Sequence, residues 1–173
     1  MKKQMKWVKR ILLITFLGVL FAGFAPLSAR ADVYTGDCGD SGNNVIWSYD
    51  TDTKTLTISG NGAMKDYEFM NATPWFEYTK LAENIVIENG VSYICKHAFR
   101  AMSSSTYPPL KSVTISPSVE RIGASAFSGR TFDCPVDLSH VKVFDKSAFI
   151  AVTFQNTEMN FDDNAAVEAI NDS

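Results

Sequence analysis

The sequence offers few side chains suited to catalysis. Its 173 residues include two histidines and three cysteines, and a cysteine beside a histidine can act as a nucleophile with its base. Cys95 and His97 are the closest such pair. Cys95 takes the place of a glycine in a similar segment, which indicates a small buried residue, whereas His97 stands where similar segments have serine, which indicates a solvent-facing position. His140 falls in a predicted turn. We therefore predict no catalytic residues.

The sequence also shows no clear motif for binding a metal or a cofactor. Asp50/Asp52 and Asp162/Asp163 carry the oxygen ligands that calcium prefers. No glycine and glutamate of a calcium loop follow either pair, so turn chemistry is the better interpretation. The cysteines lack the spacing of a zinc or redox site. Gly60-Asn61-Gly62 is interpreted as a turn, because no Lys-Ser/Thr follows to complete a phosphate loop. The sequence predicts no metal and no cofactor.

Aromatic side chains are the remaining candidates for ligand contacts. Trp47, Trp75, Tyr67 and Tyr78 have rings that can stack on sugars, which keeps a carbohydrate-binding module as an alternative function. The open end of a repeat stack, however, must be covered by large apolar groups. We interpret the four rings as the core of such a cap, within a packed irregular segment or short helical turn over residues 67–78.

The elements that position these side chains form a repeat. Three segments superpose: IVIENGVSYICKHAF (85–99), SVTISPSVERIGASAF (112–127) and VDLSHVKVFDKSAF (136–149). Each has two apolar residues two positions apart, then a valine, and then Ala-Phe, with the phenylalanine eight residues after the valine. A unit this short buries its apolar face only by stacking on its neighbours. The phenylalanines predicted to fill successive layers are Phe99, Phe127 and Phe149.

Flanking segments complete the predicted solenoid. Residues 45–49 and 55–59 are β-prone and joined by a polar turn, which predicts a hairpin. We assign residues 32–84 to an N-terminal cap with this β-hairpin and residues 85–173 to the solenoid. A Ser/Thr/Pro-rich stretch, 102–109, is predicted to protrude as a loop.

The end of the chain repeats part of the same pattern. Residues 167–173 match residues 119–125 in spacing, and Met159 with Phe161 supplies an apolar pair upstream. The solenoid is therefore expected to hold about three and a half repeats, with residues 155–173 continuing the stack as a partial repeat. Its open end is a candidate surface for weak self-association.

Residues 1–31 have the pattern of a secretory signal peptide. Five basic residues among the first ten precede the uncharged run 11–24, and the small-residue triplet 29–31 follows. We predict cleavage after Ala31, export, and no membrane span in the mature protein, because the run is too short. The mature chain then carries 10 basic and 19 acidic side chains, a formal charge of −9. This charge argues against binding nucleic acid or anionic lipid.

The oxidising compartment expected after export leaves the cysteines open to pairing. One pair among Cys38, Cys95 and Cys134 could form a disulfide and leave the third free. Their wide spacing does not select a pair. We interpret them as buried thiols, joined by one disulfide at most.

The repeats SVTISPSVERIGASAF and IVIENGVSYICKHAF resemble those of the BspA-like leucine-rich-repeat proteins of bacteria. The segment VIWSYDTDTKTLTISGNGAMKDY, followed by TPWFEY, resembles the cap that precedes such repeats. The resemblance covers about residues 36–150 and implies a mainly β, right-handed leucine-rich-repeat solenoid. It departs from the pattern in the third repeat, where Phe144-Asp145 replaces Ile-Gly, and after Ala-Phe, where Ala101-Met102 and Gly129-Arg130 replace Gly-Cys.

The resemblance also implies a function. Such proteins are secreted or on the cell surface, and some bind host proteins or mediate adhesion, with no catalytic residues or cofactor. We therefore expect a secreted or cell-surface protein-interaction or adhesion module without catalysis. Its partner is expected to be an extracellular protein or polysaccharide. A carbohydrate-binding module and, with less support, an extracellular hydrolase are the alternatives.

Overall fold

The structure, a computed structural model, describes residues 31–102, 106–155, 157–161 and 166–167. Short strands dominate this part, and residues 31–173 form one compact unit. The first strands are β1 (Val33–Gly39), β2 (Gly42–Asp50), β3 (Thr55–Gly60), β4 (Gly62–Ala63), β5 (Asn84–Ile87), β6 (Val91–Ile94) and β7 (Ser112–Ile115). The others are β8 (Arg121–Ile122), β9 (Thr131–Phe132), β10 (Val136–Leu138), β11 (Val143–Phe144), β12 (Thr153–Phe154), β13 (Met159–Phe161) and β14 (Ala166–Val167).

Helical structure in the described residues is confined to the predicted aromatic segment. A 3-10 turn at Met70–Ala72 is followed by the single-turn helix α1 (Phe76–Thr79). Among the described residues, no helix is long and apolar enough to cross a membrane. The expected short helical turn is thus confirmed.

Two five-stranded sheets carry most of the structure. In the first, the order is β1-β2-β3-β5-β7, antiparallel from β1 to β3 and parallel from β3 to β7. In the second, the order is β14-β11-β8-β6-β4, with all pairs parallel. Two smaller parallel sheets pair β10 with β13 and β9 with β12. The predicted hairpin is β2–β3, and β1 extends it on the far side.

Register between the strands confirms the repeat. Ile85 lies beside Val113 on the parallel ladder of β5 and β7. In the second sheet Ile122 lies between Ile94 and Phe144. These are the pairs that the superposed segments predict. The three phenylalanine rings form a column, with Phe127 5.1 Å from Phe99 and 5.2 Å from Phe149 between ring centroids.

The turn before each Ala-Phe has the same unusual backbone. His97, Ser125 and Ser147 have φ angles of 61°, 56° and 61°, in the left-handed region that residues other than glycine rarely adopt. The first two turns are also bonded to the next layer: His97 N–H donates to the Ala124 carbonyl at 3.0 Å, and Ser125 N–H donates to the Lys146 carbonyl at 3.2 Å. The stacking of layers therefore holds the strained conformation in place.

We expect Ser125→Gly to leave the stability unchanged or to raise it slightly. Ser125→Val should lower the free energy of unfolding by about 1–2 kcal/mol, because a branched side chain is strained at positive φ. Urea unfolding curves measure both effects. Ser59→Val, in the extended strand β3, is the matched control and should cost little. Equal losses at positions 59 and 125 would contradict this explanation.

The cap itself contains a layer of the stack. Ile58 of β3 is in register with Ile87 of β5, and Gly62 of β4 with Val91 of β6. The glycine at 62 has φ 121°, and its N–H donates to the Gly90 carbonyl at 2.9 Å. The parallel ladders thus run across the boundary predicted at residue 84. The similarity of TLTISGNG to IVIENG was a signal for this layer that the sequence analysis did not use.

The C-terminal strands correct one predicted alignment. Met159 and Phe161 lie in register with Val136 and Leu138, so the upstream apolar pair continues the stack as expected. Val167, however, pairs with Phe144, and Phe144 pairs with Ile122. Val167 is therefore equivalent to Ile122. The sequence match had aligned Val167 with Val119, which is three residues earlier. Residues 168–173 lie outside the described part.

A ladder of alternating charge borders the first sheet. Lys54, Glu83 and Lys111 precede β3, β5 and β7, and the Glu83 carboxylate forms ion pairs with both lysines. Hydrogen bonds from Lys111 and Lys54 hold the pKa of Glu83 below its ordinary value. Opposite charges in adjacent layers therefore favour the observed register.

We expect Glu83→Gln to destabilise the protein at neutral pH and not in acid. Because the folded pKa is lowered, the ionised carboxylate stabilises the fold above the unfolded pKa, and this contribution disappears as the pH falls through the folded pKa. The urea midpoints of the wild type and the variant should therefore converge well below pH 4.5, the ordinary pKa of glutamate. Glu77→Gln, which removes an exposed helical pair with Lys80, should change little at either pH. Equal midpoints for wild type and Glu83→Gln at pH 7 would contradict the prediction.

Candidate binding surface

The Cys95 and His97 side chains do not form an exposed catalytic pair. Cys95 is fully buried, and burial raises its pKa well above the ordinary value, so the reactive thiolate is disfavoured. His97 is half-buried, not solvent-facing as predicted. Burial lowers its pKa, and its Nδ1 is buried without a hydrogen-bond partner among the described residues. The interpretation of Cys95 as a small buried residue is confirmed.

The three cysteines are free and buried. Cys38 lies on β1, Cys95 directly follows β6, and an extended segment runs between them. From that segment Lys65 N–H donates to the Cys38 carbonyl at 2.8 Å, and Met64 N–H donates to the Tyr93 carbonyl at 3.2 Å. This segment is therefore hydrogen-bonded to the strands that carry Cys38 and Tyr93, and none of the three thiols is bonded to another in the structure.

We expect thiol titration to find at most one reactive thiol in the native protein. All three should react after denaturation, because burial raises the pKa of Cys38, Cys95 and Cys134 and keeps reagent away. A chromogenic disulfide reagent with and without guanidinium measures both numbers. Three fast thiols in the native state would contradict the burial. A single thiol in the denatured protein would show that a disulfide forms.

The aromatic residues proposed for sugar stacking form the core of the cap. Trp75 is fully buried, and its Nε1 donates to the Ala98 carbonyl at 2.7 Å. Trp47 is 6% exposed. The Tyr67 ring meets Trp75 edge-on, and Tyr78 packs against Trp47. Their ring faces are thus occupied by one another, as the cap interpretation predicted.

The aspartates and glycines singled out as metal or phosphate ligands are turn residues where the structure describes them. Asp50 Oδ1 accepts hydrogen bonds from Asp52 N–H at 3.0 Å and Thr53 N–H at 2.8 Å. Gly60, at φ 121°, ends β3. Asp162 and Asp163 lie outside the described residues. Within the described part of the chain, no group of three His, Cys, Asp or Glu side chains could hold a metal ion.

The outer face of the first sheet is a regular surface that strands of the cap and of the repeats build together. Successive side chains of each strand point alternately into the core and outward, and the register aligns the outward ones in rows across five strands. The central row holds Thr35, Ser48, Thr57, Val86 and Thr114. A second row holds Val33, Asp50, Thr55, Asn84 and Ser112. A third, shorter row holds Asp37, Ile46 and Ser59.

These rows give the outer face a distinct chemistry. Hydroxyl and aliphatic side chains dominate, and the charged members, Asp37 and Asp50, are acidic. The nearest lysines before the strands, Lys54 and Lys111, are engaged with Glu83. Short side chains leave the face flat, and they lose little conformational entropy when a partner covers them. The arrangement suits contact with a macromolecule better than enclosure of a small molecule.

A cleft opens at the end of the outer face, between β7 and β10. Its volume is about 380 Å³, at the small end of the range for ligand pockets. The sheet ladder ends at β7, since β10 pairs with β13 instead. The lining side chains are those of Val113, Thr114, Ile115, Pro117, Pro135, Asp137, His140 and Asn160.

Two residues before β10 explain why the sheet opens there. Pro135 has no N–H to donate to a ladder. The thiol of Cys134 accepts a hydrogen bond from the Val113 N–H, so this edge group of β7 is already used. Neither residue was predicted to belong to a site, although a proline at the start of a predicted strand is a signal for a broken ladder.

Comparison with known proteins places the fold in a class. No protein-family model and no curated protein matches this sequence. Among solved structures, the chain is similar to the crystal structure of a leucine-rich repeat protein from Eubacterium ventriosum, with 23% sequence identity and a TM-score of 0.59. The match covers 71% of this chain and 31% of that chain, so this chain spans about a third of its neighbour. The protein is therefore mainly β, with the fold of a leucine-rich repeat protein.

Proposed function

We propose that the protein is a secreted or cell-surface interaction module that binds an extracellular macromolecule through the outer face of the first sheet. In this proposal the chain is a short, BspA-like member of the bacterial leucine-rich-repeat proteins. It forms a right-handed solenoid of about three and a half repeats behind its cap, and it is exported after cleavage at Ala31. It acts in adhesion or protein binding, without catalysis.

The observation that carries the proposal is the alignment of side chains into rows across five strands. The core needs only the inward residues, so the outward positions are free to serve a partner. They hold Thr35, Ser48, Thr57 and Thr114 in one unbroken row with Val86. A flat face of this kind presents regularly spaced hydroxyl groups, which can form hydrogen bonds with the surface of a partner protein. The fold likeness supports the same proposal.

Of the two partner types expected from the sequence, the geometry favours an extracellular protein over a polysaccharide. Sugar binding generally uses exposed aromatic faces, and the rings of Trp47 and Trp75 are buried in the cap. The buried Cys95 likewise gives no support to a hydrolase. We infer a protein partner, held by a face that has no lysine or arginine on its three rows.

The test is capture of extracellular proteins and polysaccharides on the immobilised protein, followed by binding measurements with variants. Thr57→Lys places a long charged side chain in the centre of the outer face and should weaken binding of a captured protein by about tenfold or more. Asn71→Lys makes the same charge change at an exposed position outside the sheets and should not. Equal effects of the two variants, or capture of polysaccharide alone, would contradict the proposal.

A further inference from the structure

We propose that the cleft between β7 and β10 binds a lysine or arginine side chain presented by the partner protein. This inference rests on the proposed function, because it names one contact made by the partner that covers the outer face. The cleft lies at the end of the central row, where Thr114 is both a row residue and a lining residue. A segment lying along the row would therefore reach it.

The walls of the cleft suit the apolar stem of such a side chain. The apolar part of the lining comes from Val113 and Ile115, which are largely buried, and from Pro117 and Pro135, which are exposed. Lysine and arginine bury their methylene groups against apolar surface of this kind while the charged end stays in a polar environment. The titratable lining residues are one acid, Asp137, and one base, His140, and the carboxylate repels an anionic side chain.

The polar lining of the cleft suits the cationic end. Asp137 accepts a hydrogen bond from Ser139 N–H at 3.0 Å through Oδ1, and hydrogen bonding from Ser139 keeps its pKa below the ordinary value. The carboxylate is therefore ionised at neutral pH, and its two oxygens can accept further hydrogen bonds from a ligand. The described residues form no ion pair with Asp137. Asn160, beside Asp137 on the neighbouring strand β13, adds an amide oxygen.

The surroundings of the cleft reinforce this preference. None of the lining residues is a lysine or arginine. Two exposed acidic residues are near in sequence: Asp133 lies between β9 and Pro135, and Glu158 directly precedes β13. The Lys111 ammonium, just before β7, is paired with Glu83. Summed over the chain, the acidic excess attracts a basic segment and repels an acidic one.

NMR titration of the ¹⁵N-labelled protein with short peptides tests the inference without knowledge of the partner. The probes are a Gly-Ser-Arg-Ser-Gly peptide with blocked ends, the same peptide with citrulline for arginine, and the same with glutamate. Citrulline keeps the size of arginine and removes its charge. We expect the arginine peptide to shift the amides of Val113–Ile115 and Val136–His140 saturably. The citrulline peptide should bind about tenfold more weakly, as loss of one charge-assisted hydrogen bond produces.

Two variants complete the experiment. Asp137→Asn keeps an acceptor for Ser139 N–H and should reduce binding of the arginine peptide to the level of the citrulline peptide. Asp133→Asn removes the same charge outside the lining and should leave the affinity nearly unchanged. Unaltered amide positions away from the cleft verify that both variants are folded.

Three results would overturn the inference: equal binding of the arginine and citrulline peptides, shifts located away from the cleft, or equal effects of the two variants. Failure of the peptide titration, with Thr57→Lys still abolishing capture of a protein, would reject the cleft and leave the proposed function intact. If the arginine peptide binds the cleft but no extracellular protein is captured, the proposed function is rejected and the cation site in the cleft is kept.

Discussion

Replacing Phe127 with alanine is expected to lower the free energy of unfolding by about 3–5 kcal/mol. The side chain is fully buried, and its ring lies in the middle of the column, 5.1 Å from Phe99, 5.2 Å from Phe149 and 6.0 Å from Phe132 between centroids. Truncation leaves a cavity between two layers, and the turns that hold these layers apart cannot close over it. Small domains are stable by about 5–15 kcal/mol, so the loss is a large fraction of the total.

Urea unfolding curves of three variants distinguish this account from general sensitivity of the chain. Phe149→Ala removes a half-buried ring nearer the end of the column and should cost less than Phe127→Ala. Lys142→Ala removes only one member of an exposed ion pair with Glu120 and should cost at most about 1 kcal/mol. If Phe127→Ala moves the midpoint no further than Lys142→Ala, the column does not stabilise the stack.

The layers could be predicted because their signal is local and repeated. Two apolar residues two positions apart, repeated in three segments, favour short strands with one buried face, and the constant distance to Ala-Phe sets where the chain returns. The repeat therefore predicts correctly that Ile85 and Val113 are neighbours on adjacent strands. The same reasoning misaligned Val167, because a seven-residue match between 167–173 and 119–125 is too short to exclude a shift of three positions.

Features that depend on contacts between distant segments could not be predicted. Positive φ at Ser125 follows from hydrogen bonds to the next layer, and serine itself carries no sign of it. The half-burial of His97 has the same origin. The inner layer made by β3 and β4 lacks the Ala-Phe ending, which was the feature that identified the other layers.

The candidate site illustrates the same division. Outward residues of one strand can be read from the alternation of that strand, but a row across five strands requires the register between them. Thr35 and Thr114 are 79 positions apart in sequence and belong to one row. The cleft depends in addition on a missing ladder, which Pro135 and Cys134 produce together. Neither residue alone indicates an opening.

Arg130 stands directly after Gly129, where the family pattern has cysteine, and its burial was not predicted from the sequence. Arg130 is 0% exposed, and burial lowers its pKa to about 10, so it remains charged at neutral pH. Its guanidinium donates to the Thr79 carbonyl at 3.1 Å and to the Ala82 carbonyl at 3.4 Å. Its charged end also lies over the Tyr107 ring, 5.4 Å from the centroid. One side chain thus joins the repeats, the end of α1 and the loop before β7.

This position predicts that Arg130→Lys is nearly as damaging as removal of the side chain. Arg130→Ala is expected to lower the free energy of unfolding by about 3–5 kcal/mol, because it leaves a cavity and two buried carbonyls without donors. Lysine keeps the charge, but its single ammonium lacks the planar fork that reaches both Thr79 and Ala82, so it should recover little. Arg130→Met keeps the stem and removes the buried charge. The free energy of unfolding should fall less for Arg130→Met than for Arg130→Ala, because methionine avoids the cost of burying a charge and this offsets part of the missing hydrogen bonds.

Urea unfolding of the three variants gives the order of their stabilities, and hydrogen exchange at residues 76–82 should become faster in each variant. A lysine variant as stable as the wild type would show that charge alone, without the two-carbonyl geometry, stabilises the junction.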